Sequence, residues 1–342
     1  MSAQNYILRD ENSIYYECGY SCDNALYLKL GSEAFFITDS RYELDARENV
    51  QGADVIVDRN LAQQAANILN QNRIKKVTFD PNEWSVASFS LLSNNCHVEW
   101  IEHFAFSHQK RIIKTPKEQQ LLAKAATKGA KAFKKFIKTI SKDGIGKDEY
   151  HLGDIVRRTM TYRGRYEVSF EPIVAINANA AKPHAFATSQ KLLRGDLLLV
   201  DAGLKYKRYC SDRTRTFCLN NQISDTLEQS FSTKRDQKIY DIVRKAHDVA
   251  ISKARVGMRA SEIDKLARDV IEKSGYGQFF VHSTGHGVGL DIHELPVISA
   301  KSETIIEEGM VFTIEPGIYL PNKTGVRIED MVVMGSKKAT VL

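Results

Sequence analysis

The feature that most limits what this chain can become is an apolar strand that ends in an acid. Leu197–Val200 are four apolar residues in a row, and Asp201 closes the run. A short continuous apolar stretch of this kind reads as a strand buried on both faces. Asp212 follows in a second strand-like stretch, Tyr209–Leu219. The device recurs near the C-terminus, where Glu315 sits in the apolar run 311–320 and Glu329 in the run 325–333. A carboxylate is too costly to bury bare, so it takes a proton or gains a cation beside it. The fold must therefore bring each pair of acids to a partner.

If 197–204 and 209–219 form a hairpin with Asp201 opposite Asp212, the turn falls on Tyr206 and Lys207, a two-residue loop. Directly opposed side chains on a sheet lie about 5 Å apart. Setting Glu315 opposite Glu329 places the second loop at 320–324, whose Pro321 and Asn322 are turn formers. Arg327, two residues before Glu329, shares its strand face. Arg213, Arg215 and Arg327 are candidates for neutralising the acids by salt bridges; bound cations are the alternative.

The histidines favour cations. His282, His286 and His293 lie within 279–296, among Gly285, Gly287 and Gly289. Glycine at that density opposes a helix. On an extended chain residues four apart share a face, so His282 and His286 can address one site. His293 and Glu294 are followed by Leu-Pro-Val, which rules out the H-E-x-x-H zinc motif. His184, after Pro183 and seventeen residues before Asp201, reads on its own as a loop residue. Four carboxylates balance two divalent cations. With one imidazole they make a hard, oxygen-rich set suited to Mn(II), Fe(II) or Co(II) rather than to thiolate-seeking metals.

At 342 residues the chain is too long for one ordinary core, so two domains are expected. Residues 1–110 alternate strand-like runs at 25–30, 34–38, 54–57 and 75–79 with a helix over 61–71, an α/β pattern. Residues 111–342 open with a helix for which Thr115 is the N-cap and Pro116 the first residue. Further helices are predicted through 148–164, around 239–250, and over 261–275 with Ser261 and Gly275 as caps. Each helix pair precedes strands that end in acids, which hints at an internal repeat. The whole reads as α+β, and the polar 220–238 stretch as a surface loop or a short helical excursion. The net charge of +6 is spread along the chain, with no run of like charges that would mark a nucleic-acid arm. No apolar stretch approaches the ~18 residues of a membrane span. The N-terminus shows no leader pattern, and five scattered cysteines without a Cys-x-x-Cys pair suit reduced thiols, so a cytoplasmic protein is expected.

These residues resemble a known family. DAG…SDRTRTF from Asp201, STGHGVGLDIHE from Ser283, TIEPGIY from Thr313 and GVRIED from Gly325 occur in the order and spacing of the metallopeptidases of the pita-bread fold, family M24. That family includes methionine aminopeptidase, aminopeptidase P and prolidase. The resemblance implies an α+β catalytic domain with an internal pseudo-twofold, and metal ligands Asp201, Asp212, His286, Glu315 and Glu329. It implies two divalent ions, Mn(II) first, with Co(II), Fe(II) or Zn(II) as alternatives. Glu315 would also shuttle a proton near a bridging hydroxide. His184 and His293 would contact the scissile carbonyl or stabilise the intermediate; His282, Arg327 and Tyr319 would shape the substrate pocket.

Residues 36–46 resemble the N-terminal domain shared by aminopeptidase P, prolidase and creatinase. This favours the proline-directed branch: peptides with proline at the second position as substrates, with an Xaa-Pro aminopeptidase expected first and a dipeptide-restricted prolidase second. A homodimer is expected by the same resemblance. A metal-free creatinase-like hydrolase or a non-catalytic binding relative is the reading of another class, and the presence of every ligand position counts against it. Two departures stand out: Arg208 occupies a position where the family often has Gly, and 220–238 is longer than usual.

Overall fold

The structure, a computed structural model, describes residues 4–219 and 226–342. It divides into two compact units, Met1–Arg111 and Ile112–Leu342.

The first unit runs β1 (Asn5–Leu8), α1 (Glu11–Cys18), β2 (Ala25–Leu30), β3 (Glu33–Thr38), α2 (Glu43–Asn49), β4 (Asp54–Val57), α3 (Leu61–Gln71), β5 (Lys76–Phe79), α4 (Val86–Ser93), β6 (Glu99–Glu102) and α5 (Phe106–Lys110). The strands form one sheet in the order β4-β3-β2-β1-β5-β6. Its central strands are apolar at almost every position because both faces are covered. Ile7, Leu26, Leu28 and Ile37 point to one core cluster. Tyr6, Leu8, Tyr27 and Phe36 point to the other.

The second unit contains two halves built alike. The first is α6 (Pro116–Asp143), α7 (Glu149–Met160), β7 (Ile173–Ile176), β8 (Leu197–Asp201), β9 (Lys205–Tyr206), β10 (Tyr209–Cys210) and β11 (Thr214–Cys218), with the sheet order β11-β8-β7. The second is α8 (Lys234–Lys253), α9 (Ala260–Lys273), β12 (Gly285–Gly287), β13 (Glu294–Ile298), β14 (Val311–Ile314), β15 (Gly317–Leu320), β16 (Thr324–Arg327), β17 (Asp330–Met334) and β18 (Ala339–Val341), with β13-β12-β14-β17-β18 as its main sheet. In each half a helix pair packs its apolar stripe on the sheet: Phe133, Phe136 and Val156 against Leu198 and Val200, Val243, Ala246 and Ile263 against Phe312 and Ile314. The equivalence extends to single bonds. Gly146 N–H donates to Leu192 O and Leu192 N–H to Lys147 O; Gly257 and Met258 make the same pair of bonds with Ile306. The internal repeat hinted at by the sequence is thus a property of the fold.

Several local expectations shift. Thr115 caps α6 with Pro116 as first residue, and Glu118 returns a bond to Thr115 N–H at 2.8 Å, closing a capping box. The predicted Ser261 cap is displaced to Arg259, because Glu262 reaches the Arg259 N–H at 2.7 Å and fixes the helix start there. Helix α7 stops at Met160, short of Gly164, since Tyr162, Arg163 and Gly164 all have positive φ (51°, 63° and 89°). Of the expected 220–238 loop, residues 220–225 lie outside the described residues, 226–233 carry no helix or strand, and α8 already begins at Lys234.

The first hairpin is registered differently from the sequence reading. Tyr206 pairs with Tyr209, so the turn is Lys207-Arg208, and Asp201 faces Thr214 rather than Asp212. Gly203 sets this register: a Cβ there would overlap the Ser211 carbonyl. The turn needs two left-handed residues, and Lys207 (φ 49°) and Arg208 (φ 70°) supply them without glycine. The second hairpin follows the expected register. Ile314 pairs with Asp330 and Gly317 with Arg327, which leaves Glu315 opposite Glu329 between two ladders.

Candidate metal centre

Of the five expected ligands, the four acids stand at or beside strand ends and the histidine lies within a short strand. Asp201 ends β8, Asp212 precedes β11, His286 is the middle residue of β12, Glu315 follows β14 and Glu329 precedes β17. Asp201 is held by Thr214 on one side and Ile173 on the other, and His286 by Val297, so the ladders fix these side chains as they face inward. Asp212, His286 and Glu329 each offer one ligand atom, and these atoms lie within 4.8 Å of one another. His286 Nε2 is 3.6 Å from Asp212 Oδ2 and 3.4 Å from Glu315 Oε1. Its Nδ1 lies 3.0 Å from Gly287 O. A neutral ring donating Nδ1–H there turns the Nε2 lone pair toward the acids.

Arg327 is the cation the structure supplies. It gives Nη2 to Asp201 Oδ2 at 2.7 Å, Nε to Thr214 Oγ1 at 3.1 Å, and Nη1 to Tyr319 OH at 2.9 Å and Pro183 O at 3.1 Å. The salt-bridge reading is therefore correct for one oxygen of Asp201. One guanidinium does not balance four carboxylates. Burial first, then the charges of Asp201 and Glu315, push the Asp212 carboxyl well up. Burial and Asp212 do the same to Glu329, and burial raises Glu315. Asp201 Oδ1 and Asp212 Oδ1 are buried without a hydrogen-bond donor. Two orphaned carboxylate oxygens, an excess of buried negative charge and an imidazole lone pair form a hard donor set that fits divalent cations.

The other expected site residues gather at the same place. The His293 ring stands edge-on to His286, centroids 4.4 Å apart at 79°. His184, His293 and Asp212 line one cavity of about 630 Å³, with Phe170, Ile292 and Phe186 among its apolar walls. His282 lies outside β12, so the extended-strand reading of His282 and His286 fails. Arg268, donating to His282 O at 2.9 Å, holds that segment instead. His282 Nε2 is 2.8 Å from Tyr319 OH, which links His282, Tyr319, Arg327 and Asp201 in one chain of contacts. Burial lowers the pKa of His282, His286 and His293 and pushes Tyr319 up to about 12.

Two supports escaped the sequence reading, and a third, the salt-bridge candidate Arg215, has a partner the sequence reading did not name. Thr214 Oγ1 donates to Glu329 Oε2 at 2.7 Å; its place two residues after Asp212 was a usable signal. Arg215 reaches the Glu329 carbonyl at 2.7 Å and pairs with Asp330, an acid not singled out beforehand. Lys114 and Glu294 form a fully buried ion pair at 2.9 Å, and a separation of 180 residues leaves no sequence signal for it.

Two similar half-domains with acids gathered at their strand ends define a metallopeptidase of the pita-bread type. The family description "Metallopeptidase family M24" matches residues 120–336, and "Creatinase/Prolidase N-terminal domain" matches residues 2–111. The chain belongs to metallopeptidase family M24. A solved Xaa-Pro dipeptidase from Bacillus anthracis superposes with a TM-score of 0.91 at 32% identity, covering 99% of this chain and 92% of that one. An Xaa-Pro dipeptidase of Pyrococcus furiosus is 41% identical over 233 residues, 67% of this chain and 63% of that protein. A solved X-Pro aminopeptidase from Thermotoga maritima superposes at 0.87 with 29% identity, covering 99% of this chain and 94% of that one. Among the described residues no helix is long and apolar enough to cross a membrane.

Proposed function

We propose that this chain hydrolyses Xaa-Pro dipeptides, with two divalent cations held by Asp201, Asp212, His286, Glu315 and Glu329. The observation that carries the reading is the convergence of Asp212, His286 and Glu329 beside orphaned carboxylate oxygens. It stands in a chain that matches a dipeptidase over almost its whole length. The sequence alone put the aminopeptidase first; the higher TM-score and identity of the proteins named as dipeptidases support the reverse order. Bound divalent cations supply a Lewis acid and lower the pKa of water.

The chain's own residues do the rest. Glu315 takes a proton from the attacking water and returns it to the proline nitrogen as the C–N bond breaks. His184 and His293, on the cavity wall, donate to the oxygen of the scissile carbonyl as charge develops on it. His282, Tyr319 and Arg327, joined to Asp201 by hydrogen bonds, orient the substrate. Mn(II) as the preferred ion, a homodimeric assembly and a cytoplasmic setting are further parts of this proposal. They rest in turn on the oxygen-rich donor set, on the family resemblance and on the five free cysteines.

The test compares hydrolysis of Xaa-Pro dipeptides and Xaa-Pro-Pro tripeptides by chelated protein resupplied with Mn(II), Co(II), Fe(II) or Zn(II). Hydrolysis confined to dipeptides is expected. Equal hydrolysis of the tripeptides returns the aminopeptidase reading, and no hydrolysis of either with any ion sinks both.

A further inference from the structure

Between β7 and β8 runs an irregular segment that carries His184. Its two ends meet on one side chain. Glu149, the first residue of α7 and 0% exposed, accepts Ile176 N–H on Oε1 at 2.6 Å. On Oε2 it accepts Asn179 Nδ2 at 2.8 Å, Thr188 N–H at 2.7 Å and Thr188 Oγ1 at 2.6 Å. Asn179 Nδ2 also reaches Phe186 O at 2.9 Å, and Arg327 holds Pro183 O at 3.1 Å. The backbone is thus pinned on both sides of His184. A four-donor carboxylate of this kind is strong because the bonds are charge-assisted.

The internal repeat shows that the helix does not need this acid. Asp148 bridges to Lys191 just before α7, and Arg259 bridges to Ile305 just before α9. Glu149 therefore corresponds to Ala260, which is equally buried. The second half folds with a methyl group where the first half keeps a carboxylate. What the first half has in addition is the pinned segment with His184.

We infer that Glu149 is a positioning residue for His184: it fixes the 176–188 segment so that the imidazole faces the cavity beside Asp212 and His293. The kinetic arm of the test rests on the Xaa-Pro hydrolase reading; the spectroscopic arm does not. In Glu149→Gln, however the amide turns, its NH₂ meets at least one of the donors now bound. The variant is expected to lower kcat on an Xaa-Pro dipeptide by about 10–100-fold, the range for outer partners of a site, with bound metal unchanged. In a His184→Ala background the same substitution is expected to change kcat by less than about twofold, because residues acting through one another are non-additive.

In metal-free protein the side-chain resonances of His184, assigned from the His184→Ala spectrum, are expected to shift or broaden in Glu149→Gln while those of His282 and His293 stay in place. Thr188→Val, which removes one donor and keeps the charge, is expected to move both readouts the same way by less, and it decides the matter if Glu149→Gln does not fold. Unmoved His184 resonances, joint movement of all three histidines, or an equal loss of kcat with and without His184 would overturn the inference. A wild type inactive on every Xaa-Pro peptide would refute the hydrolase reading and leave the resonances to judge Glu149.

Discussion

Lys114→Met tests whether the ion pair under His293 supports the catalytic unit. Lys114 Nζ lies 2.9 Å from Glu294 Oε2, with the side chains 1% and 0% exposed. Glu294 Oε1 accepts Asp291 N–H at 3.1 Å, and Lys114 N–H donates to Gly309 O at 3.0 Å, so the pair ties the segment before α6 to the start of β13. At an effective dielectric constant of about 20 the gross attraction at this distance is roughly 6 kcal/mol. Much of that is offset by the desolvation of both charges. The informative quantity is the cost of breaking the pair, about 3–5 kcal/mol, because the remaining charge stays buried. Lys114→Met keeps the length and apolar stem and removes the ammonium. Urea unfolding of the metal-free protein followed by circular dichroism should show a lower midpoint with an unchanged slope. Glu294→Gln should cost a similar amount. The double variant should cost less than either single one, since it leaves no unpaired charge. A loss below about 1 kcal/mol for Lys114→Met, or a double variant as costly as the two singles combined, would refute the reasoning.

Further expectations follow from the same structure. Asp212→Asn removes one of four crowded acids, so the metal-free protein should melt higher than wild type while calorimetric titration shows metal binding weakened by an order of magnitude or more; chelation should lower the melting temperature of loaded wild type and lower that of this variant by less. Glu83 is raised by burial even though it accepts Arg9 N–H, Asp10 N–H and the Ser13 hydroxyl. A carboxyl raised on folding binds its proton more tightly in the native state, so its contribution falls as pH rises from the ordinary carboxylate range through its own pKa; Glu83→Gln should flatten that decline, read by Trp84 and Trp100 fluorescence in the first unit. Lys207→Asn with Arg208→Gly puts residues suited to positive φ into the turn and should raise stability by about 1 kcal/mol, seen as a melting shift of about 2–4 °C.

Much of this was legible because burial leaves marks on sequence. Helix 61–71 and the strands at 25–30 and 54–57 appear at the expected residues, since their apolar spacing reflects a core that covers them. The acids at strand ends were legible for the opposite reason: a carboxylate closing an apolar run contradicts its surroundings unless something answers it. The turn at Lys207-Arg208 was not legible, because two left-handed residues without glycine, asparagine or aspartate give no local signal. Its register depends on Gly203 meeting a carbonyl eight residues on. Thr214, Glu149 and Lys114 were missed because their meaning lies in partners that only the fold supplies.

The strongest argument that the acid cluster is made for cations comes from the residue next to it. Glu329 and Asp330 are consecutive, 2% and 4% exposed, and face opposite ways across the start of β17. Burial would raise both. Around Asp330 stand Arg215 at 2.7 Å, Arg213 at 3.1 Å and His247 at 3.3 Å, and they hold its carboxyl well below the usual range against that burial. Around Glu329 stand Asp212, Glu315 and Asp201, with Arg327 as the opposing charge, and its carboxyl goes up. Depth and residue type are nearly the same, so the neighbours make the difference. Arg213 and Arg215 come from the stretch that also supplies Asp212 and Thr214, within reach of either face. Their guanidinium groups go to Asp330, and the face that opens on the cavity stays in negative excess. A fold that needed only to bury Glu329 quietly would have neutralised it by the same means. The imbalance is confined to the face where a cation and a substrate can enter.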